Sequence, residues 1–434
     1  HLDLWGEALW GTTVLFLGGG PIALVLGLIV GAARVSPVPI ARAVGFDRVR
    51  ANRLVFAGGK LSGEVGDPIV DVASALYRLG APEGMRIHLC VYHARFPLAQ
   101  RSAIEAMLDA TLNRRKPEEV WRLPAIRAAL DAHPEHAHAF VVLASPVCEV
   151  GRDWDADWAL AEPSSMRSLI QLAGRVQRHR RKPPQHANVL VFEFNLKHCE
   201  NGGADAPAFV RPGFEKSGVD HLHRFRLGTH RLSKLMAPDE YQSLSAIPRI
   251  RPAPPSEWNI KQRWIDLEQA RMTASMLPRT HIPPDLAPPA DMAIERDEAA
   301  IAWQHPQAAL IGVLPQQQPF RDDTERRTTL VFLPDDDEDE GLQLHRVEDN
   351  PVKRGESLHV GARELLYRIP LQPAAGIASW GGMDLSELLA LLEEHADALG
   401  LELTETARRL AVLEVPRSDQ GWRWHPWLGF TRRH

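Results

Sequence analysis

Two runs of polar side chains carry the chemistry this sequence can offer. The later run is Gln171-Leu172-Ala173-Gly174-Arg175-Val176-Gln177-Arg178. Arg175 and Arg178 are three residues apart, which on a helix puts both on one face. Two guanidiniums in fixed relation suit an anionic triphosphate presented by a facing domain. Gln171 falls one turn earlier on that face, and Gly174 lets another backbone approach closely. The earlier run is Ser145-Pro146-Val147-Cys148-Glu149-Val150-Gly151-Arg152-Asp153. Gly151 permits a tight turn there. Asp153 can accept from a sugar hydroxyl or orient the arginines, and the Ser145 hydroxyl can donate to a phosphate. A third cluster, Tyr92-His93-Ala94-Arg95-Phe96-Pro97, stands further upstream.

The elements that must position these side chains are legible around them. Ile87–Tyr92 and Ala139–Ala144 are unbroken apolar runs of strand length, and Trp158–Ala161 and Val189–Phe194 are shorter ones. Between them, Leu98–Leu112 carries apolar residues at helical spacing, and Ser165–Arg178 is expected to form a helix with Ser164 or Ser165 as its cap. Buried strands alternating with helices predict an α/β fold, a parallel sheet covered on both faces. Sites in such sheets lie at the carboxyl ends of the strands, where the polar clusters fall.

Taken in order, the three clusters resemble motifs IV, V and VI of superfamily 2 helicases. The last fits Q-x-x-G-R-x-x-R at every fixed position, and Glu149, Gly151 and Asp153 fit E-x-G-x-D. Ser145 stands where that family usually has Thr. The longer stretches VGRDWDADWALAEPSSMRSLIQLAGRVQRHR and IHLCVYHARFPLAQRSAIE, and the ending GWRWHPWLGFTR, resemble the helicase–nuclease of type I-F CRISPR systems. The resemblance covers roughly residues 67–434. It implies a RecA-like second helicase lobe over 61–200, a connector over 201–255 and a mixed α+β C-terminal domain over 256–434. It further implies Arg175 and Arg178 as finger residues with Gln171 beside them, and Gly151, Asp153 and Gly174 at the nucleotide. His93, Arg95, Ser145, Glu149 and Arg180 would lie along the nucleic acid. The implied cofactors are ATP and Mg²⁺, shared with a first lobe. The implied partners are single-stranded DNA, the RNA-guided CRISPR surveillance complex and the CRISPR adaptation integrase, in the cytoplasm. A superfamily 2 helicase of another branch, acting on RNA or in repair, and a non-catalytic DNA or protein docking module are the alternatives.

Other features bound this reading. The net charge of -5 excludes a protein that is basic as a whole, so phosphate contacts must come from a local patch. Cys90, Cys148 and Cys199 form no C-x-x-C pair, which argues for a reducing compartment and against a zinc ribbon. No metal site is expected: His133, His136 and His138, and His221, His223 and His230, are groups without a companion carboxylate or cysteine pattern. Ala57-Gly58-Gly59-Lys60-Leu61-Ser62 is not a phosphate-binding loop, because Leu61 follows the lysine and Leu54 stands where the first glycine belongs. No D-E-x-H box or HD metal cluster is present. The chain alone is therefore expected not to hydrolyse ATP. It begins with His1, and residues 1–60 are set apart as an atypical apolar segment. Between Glu7 and Arg34 this segment has the length of a membrane span but is broken at Gly18-Gly19-Gly20-Pro21, so no membrane is expected.

The basic stretch after Arg178 can track a nucleic-acid backbone or end a helix in solvent. His93 can serve in the motif or merely cap its strand. Trp422, Trp424 and Trp427 can stack on bases or fill a core. Asp335–Glu340 reads as a solvated acidic loop. Helices are expected over Trp258–Met272 and over Asp384–Leu399, the second capped by Asp384 and closed by Gly400.

Overall fold

The computed structural model describes residues 54–60, 67–149, 151–181, 187–201, 206–210, 213–215, 225–276, 325–335, 341–353 and 355–433. The apolar N-terminal run, His221 and His223, most of the 335–340 acidic stretch and the Pro-rich turns after 277 lie outside them. The chain makes two compact units. One takes in the described residues of 54–160, 174–190 and 325–433, the other those of 161–173 and 191–276.

The first unit is built on a six-stranded sheet in the order β10-β2-β3-β1-β4-β5. Its strands are β1 (Leu54–Lys60), β2 (Met85–Tyr92), β3 (Ala137–Ala144), β4 (Trp158–Ala161), β5 (Val189–Val191) and β10 (Ile377–Ser379). β1 and β2 run parallel to β3, and β10 runs parallel to β2, with Ile87 opposite Ala139 and Ile377 opposite Ile87. β2 and β3 are almost wholly buried, as expected of parallel strands covered on both faces. The helix Asp67–Leu79 explains one cover. Its Ile69, Val70, Ala73, Leu76 and Tyr77 recur at helical spacing and all are buried against the sheet.

Two strands differ from expectation. β1 comes from residues set apart as atypical, yet it is a central strand between β3 and β4. Gly58-Gly59-Lys60 therefore lies inside a ladder, not in a loop that could cradle a phosphate. β10 comes from the C-terminal region yet forms the sheet's edge, so the C-terminal residues complete this unit and are not a separate body.

The C-terminal residues add β6 (Arg327–Pro334), β7 (Leu342–Asp349), β8 (Ser357–Gly361), β9 (Leu366–Arg368), β11 (Val412–Pro416), β12 (Trp422–His425) and β13 (Gly429–Arg432). β11-β6-β7-β8 is an antiparallel sheet and β13-β12-β9 a smaller one. The helix Leu385–Leu399 packs Leu388, Leu392 and Ala396, one turn apart, into their core. It begins at a full capping box between Asp384 and Glu387 and closes at Gly400, as its sequence predicts. Trp422 and Trp424 are core residues, 1% and 2% exposed, which removes them from any base-stacking surface. Trp427 packs its ring against Tyr77.

The second unit holds the helices Met166–Ala173 and Trp264–Met276. The latter starts six residues later than the periodicity predicts, because residues 259–263 form a turn in which the Gln262 and Arg263 amides donate to Asn259 O. Glu268, fully buried on that helix, accepts from the Met166 amide at 2.9 Å and sits 3.0 Å from the Arg249 Nε. Its carboxylate caps the first turn of Met166–Ala173, and the Ser165 Oγ accepts from the Ser168 amide beside it. The described residues of 201–255, a range read as a connector, contain three short helices and the buried carboxylates of Glu215 and Glu240. Glu215 accepts from the Ala208, Phe209 and Leu227 amides and meets His230 Nε2 at 3.0 Å. Burial pushes its pKa up, but His230 and the three amides outweigh that and leave it lowered. His230 is accounted for by this pairing, and no metal-binding group of three or more ligands occurs among the described residues. Nor is any helix among them long and apolar enough to cross a membrane.

Candidate functional site

The candidate site lies where the loop after β3 meets the segment following residue 173. That segment differs from expectation. The helix stops at Ala173, not Arg178, so Arg175 and Arg178 do not share a helical face. Instead Val176 forms a parallel bridge with Ala156. The Ala156 amide donates to Arg175 O at 2.8 Å and the Gln177 amide to Ala156 O at 2.9 Å. Gln177 and Arg181 hold φ values of +51° and +49°, the left-handed region that non-glycine residues rarely occupy. Backbone strain of this kind persists only where surrounding contacts over-determine it, and here the bridge does so. Gln171 belongs to the second unit, half-buried near the end of its helix.

The Ala156–Val176 bridge brings two segments side by side and sets up an ionic ladder. Asp153, Asp155 and Asp157 alternate on one, Arg178 and Arg180 on the other. Arg180 grips Asp155 with two hydrogen bonds of 2.9 Å, adds Asp157, and donates to Ala156 O at 2.9 Å. Asp155 is fully buried. The other rung is exposed: Arg178 Nε donates to Asp153 Oδ1 at 2.6 Å, and both side chains are 46% exposed. Arg115 donates to the other Asp153 oxygen, and His179 Nε2 lies 3.1 Å from Oδ1. His179 Nδ1 accepts from the Arg114 amide at 3.0 Å, which leaves the ring proton on Nε2, facing Asp153. The imidazole and then the Arg178 guanidinium hold the Asp153 carboxyl down at about 2.

Arg175 reaches the other way. Its Nη2 donates to Glu149 O at 2.8 Å, while its Nε has no hydrogen-bond partner among the described residues. Burial, then the neighbouring Arg178, lowers its pKa. A guanidinium held against a carbonyl retains its full charge for an incoming anion. Ser145 Oγ, 1% exposed, likewise has no hydrogen-bond partner among the described residues. Gly151 has φ of +69°, the turn expected there. Glu149 is buried, its backbone carbonyl serving Arg175. Gly174 is exposed, and its carbonyl accepts from Arg178 Nη1 at 3.3 Å.

Three of the expected nucleic-acid residues are anchors in this fold. Arg180 is spent on Asp155 and Asp157. His93 and Arg95 are 0% and 3% exposed, which puts them beyond the reach of a phosphate. The C-terminal residues cover them: His93 Nε2 pairs with Leu428 O at 2.8 Å, and the Phe430 amide donates to Arg95 O at 3.0 Å. Gly429 makes this approach possible. A Cβ there would stand 2.7 Å from Arg95 O and 2.8 Å from His93 Cε1, at a φ of +72°.

Sequence reasoning missed four contributors. Arg114 and Arg115 close the ladder from the turn after helix Leu98–Thr111, with Arg114 Nη1 2.7 Å from Asp157. Arg152 lies 2.7 Å from Glu105, donates to the Tyr92 hydroxyl at 2.8 Å, and rests over the Tyr92 and Trp154 rings. Burial raises the Glu105 pKa, but hydrogen bonds from Tyr92 and Arg152 outweigh it and hold that carboxyl low. Asp155 is the fourth. The alternation D-x-D-x-D was the available signal, since residues two apart on extended chain share one side, whereas Arg178 and Arg180 meet it from a turn closed by the Arg181 amide on Gln177 O at 3.2 Å.

Comparison with known proteins defines the class first. Residues 67–181 match the family model described as CRISPR-associated nuclease/helicase Cas3, C-terminal, and residues 332–432 match the CRISPR-associated Cas3 subtype I-F/YPEST-like C-terminal domain. Two curated proteins, each described as CRISPR-associated nuclease/helicase Cas3 subtype I-F/YPEST, narrow this. The chain is 38% identical to the one from Pseudomonas aeruginosa over 84% of its own length and 31% of that protein's. It is 34% identical to the one from Pectobacterium atrosepticum over 84% and 30% respectively. The chain belongs to the subtype I-F/YPEST Cas3 family and corresponds to its C-terminal portion; it spans about 31% of the length of the first of these relatives. The crystal structure of T. fusca Cas3 with ATP aligns over 37% of this chain and 16% of that one, at 22% identity and a TM-score of 0.25, too slight a likeness to define the fold.

Proposed function

We propose that this chain is the C-terminal part of the ATP-dependent DNA helicase–nuclease of a type I-F CRISPR antiviral system. In that reading the parallel sheet is the second, RecA-like motor lobe. Arg175 and Arg178 are its finger residues, offered to a nucleotide held mainly by a first lobe. The observation that carries this is the charge balance of the cluster. Arg178 and Arg115 share one carboxylate, Asp153, while Arg175 is held by the Glu149 carbonyl, which leaves more positive than negative charge at this surface. ATP, with Mg²⁺, supplies the phosphoryl group whose hydrolysis drives the motor. Arg175 and Arg178 lower the cost of negative charge developing on that group. Asp153 orients Arg178, and Gly151 and Gly174 leave room for the nucleotide. The expected partners of the whole protein are the RNA-guided surveillance complex and the adaptation integrase, in the cytoplasm.

The test is ATP hydrolysis stimulated by single-stranded DNA, with this chain alone and mixed with a separately expressed first lobe of the same family. Turnover only in the mixture, reduced about 10³-fold by Arg178→Ala, is the expected result. Turnover by the chain alone, or an unaffected variant, sinks the finger assignment.

A further inference from the structure

The ladder has one fixed rung and one exchangeable rung. Asp155–Arg180 is buried and bidentate, so it sets the register of the two segments. Asp153–Arg178 is exposed, and exposed pairs are held by little. If Arg178 is to turn toward a phosphate, it must leave Asp153. A carboxylate abandoned beside an incoming anion would repel that anion. The structure supplies a remedy, because Asp153 has two further cationic or donor neighbours: Arg115 on Oδ2 and His179 beside Oδ1. His179 is held by the Arg114 amide, and Arg114 in turn by Asp157, so the Arg114–Arg115 turn is itself locked to the buried end of the ladder.

We propose that Arg115 is a positioning residue for the finger: it shares Asp153 with Arg178 and keeps that carboxylate neutralised when Arg178 swings out to an anion. No motif assigns this residue a role, and the inference rests on Arg178 being the finger. Two effects of Arg115 act in the same direction. It competes for Asp153, which loosens Arg178, and its own charge favours the arriving anion. The Asp153–Arg178 contact is then a latch opened by the ligand, with Arg115 setting how readily it opens.

The experiment reads the Arg178 Nε–H resonance of the ¹⁵N-labelled chain while inorganic tripolyphosphate is added, the signal being assigned by its loss in Arg178→Lys. In the wild type the resonance shifts as Arg178 trades carboxylate for phosphate. Arg115→Ala should raise the half-saturating tripolyphosphate concentration about 2- to 5-fold, the scale of an exposed ion pair. Arg115→Lys, which keeps the charge, should restore most of it. A thermal melt of each variant checks that the fold is intact, and Arg115→Gln replaces the alanine variant if that one does not fold. If the wild-type signal shifts and the Arg115 variants titrate alike, this inference fails while the finger reading stands. If the wild-type Arg178 signal does not move at all, both fall.

Discussion

Residues 92–97 and 174–180 both fall in runs that resemble helicase motifs, yet the fold treats them in opposite ways. The first run is swallowed: His93 and Arg95 are buried under the C-terminal residues, where the His93 ring meets Leu428 O and the Arg95 carbonyl accepts from the Phe430 amide. The second run stays at the surface, its helix cut short at Ala173 and its arginines fanned along an ionic ladder. Even within it, Arg180 is an anchor while Arg178 is exchangeable. The difference teaches that a motif residue's type does not decide its work. Burial and the number of fixed partners do.

The sharpest way to break the comparison is within the ladder itself. Arg180→Ala leaves Asp155 buried and without its bidentate partner, which costs about 3–5 kcal/mol when one half of a buried pair is removed. Arg178→Ala removes an exposed partner and should change stability by less than about 1 kcal/mol. Urea unfolding of the two variants decides it. Similar losses in both would mean that the rungs do not differ, and the division into anchor and instrument would go.

The swallowed run is tested at Gly429. Its positive φ and the 2.7 Å approach to Arg95 O leave no room for a methyl group, because it faces a backbone carbonyl and the buried His93 ring, which is itself held on Leu428 O. Gly429→Ala should destabilise by roughly 2–4 kcal/mol through strain and lost docking of β13. Amide exchange should rise at Phe430, whose N–H bonds to Arg95 O. Exchange at Val176 and Gln177 should stay unchanged. A variant as stable as wild type would mean that the C-terminal residues do not hold the 92–97 run in place.

Much of this was legible in the residues. Apolar runs at Ile87–Tyr92 and Ala139–Ala144 gave buried parallel strands, and Asp384 with Gly400 bounded a helix, because local pattern and local caps settle such elements. What escaped was set by contacts distant in sequence. β10 joins β2 from nearly three hundred residues away, a pairing that periodicity within either segment cannot reveal. The helix expected to reach Arg178 ended early because Val176 pairs with Ala156, and helical spacing in the motif masked that competing bridge. The charges of the D-x-D-x-D run were visible, but only the bridge tells which arginine faces which carboxylate.

The smallest expected effect contrasts the ladder with the opposite, amino-terminal ends of β2 and β3. There His138 Nε2 donates to Glu135 O at 2.9 Å, so its Nδ1 accepts the proton that His88 Nε2 offers at 2.9 Å. Both rings are buried and neutral, and His88 stacks on Phe140. Burial, then the neighbouring His138 and His133, pushes His88 down to about 3. The unfolded chain binds that proton near pH 6.5, so the stability tied to His88 is complete above that pH and is lost as pH falls toward 3. For this one group the loss is about 2 kcal/mol near pH 5. Asp153 in the ladder, held at about 2, stays charged across the same interval. Acid should therefore loosen β2 and β3 at the histidine end before it touches the outer rung. Urea midpoints measured from pH 7 to pH 4.5 should fall less steeply in His88→Gln than in wild type, whatever the variant's starting stability. Parallel curves would assign the acid limb to other groups and remove the histidine pair from the account.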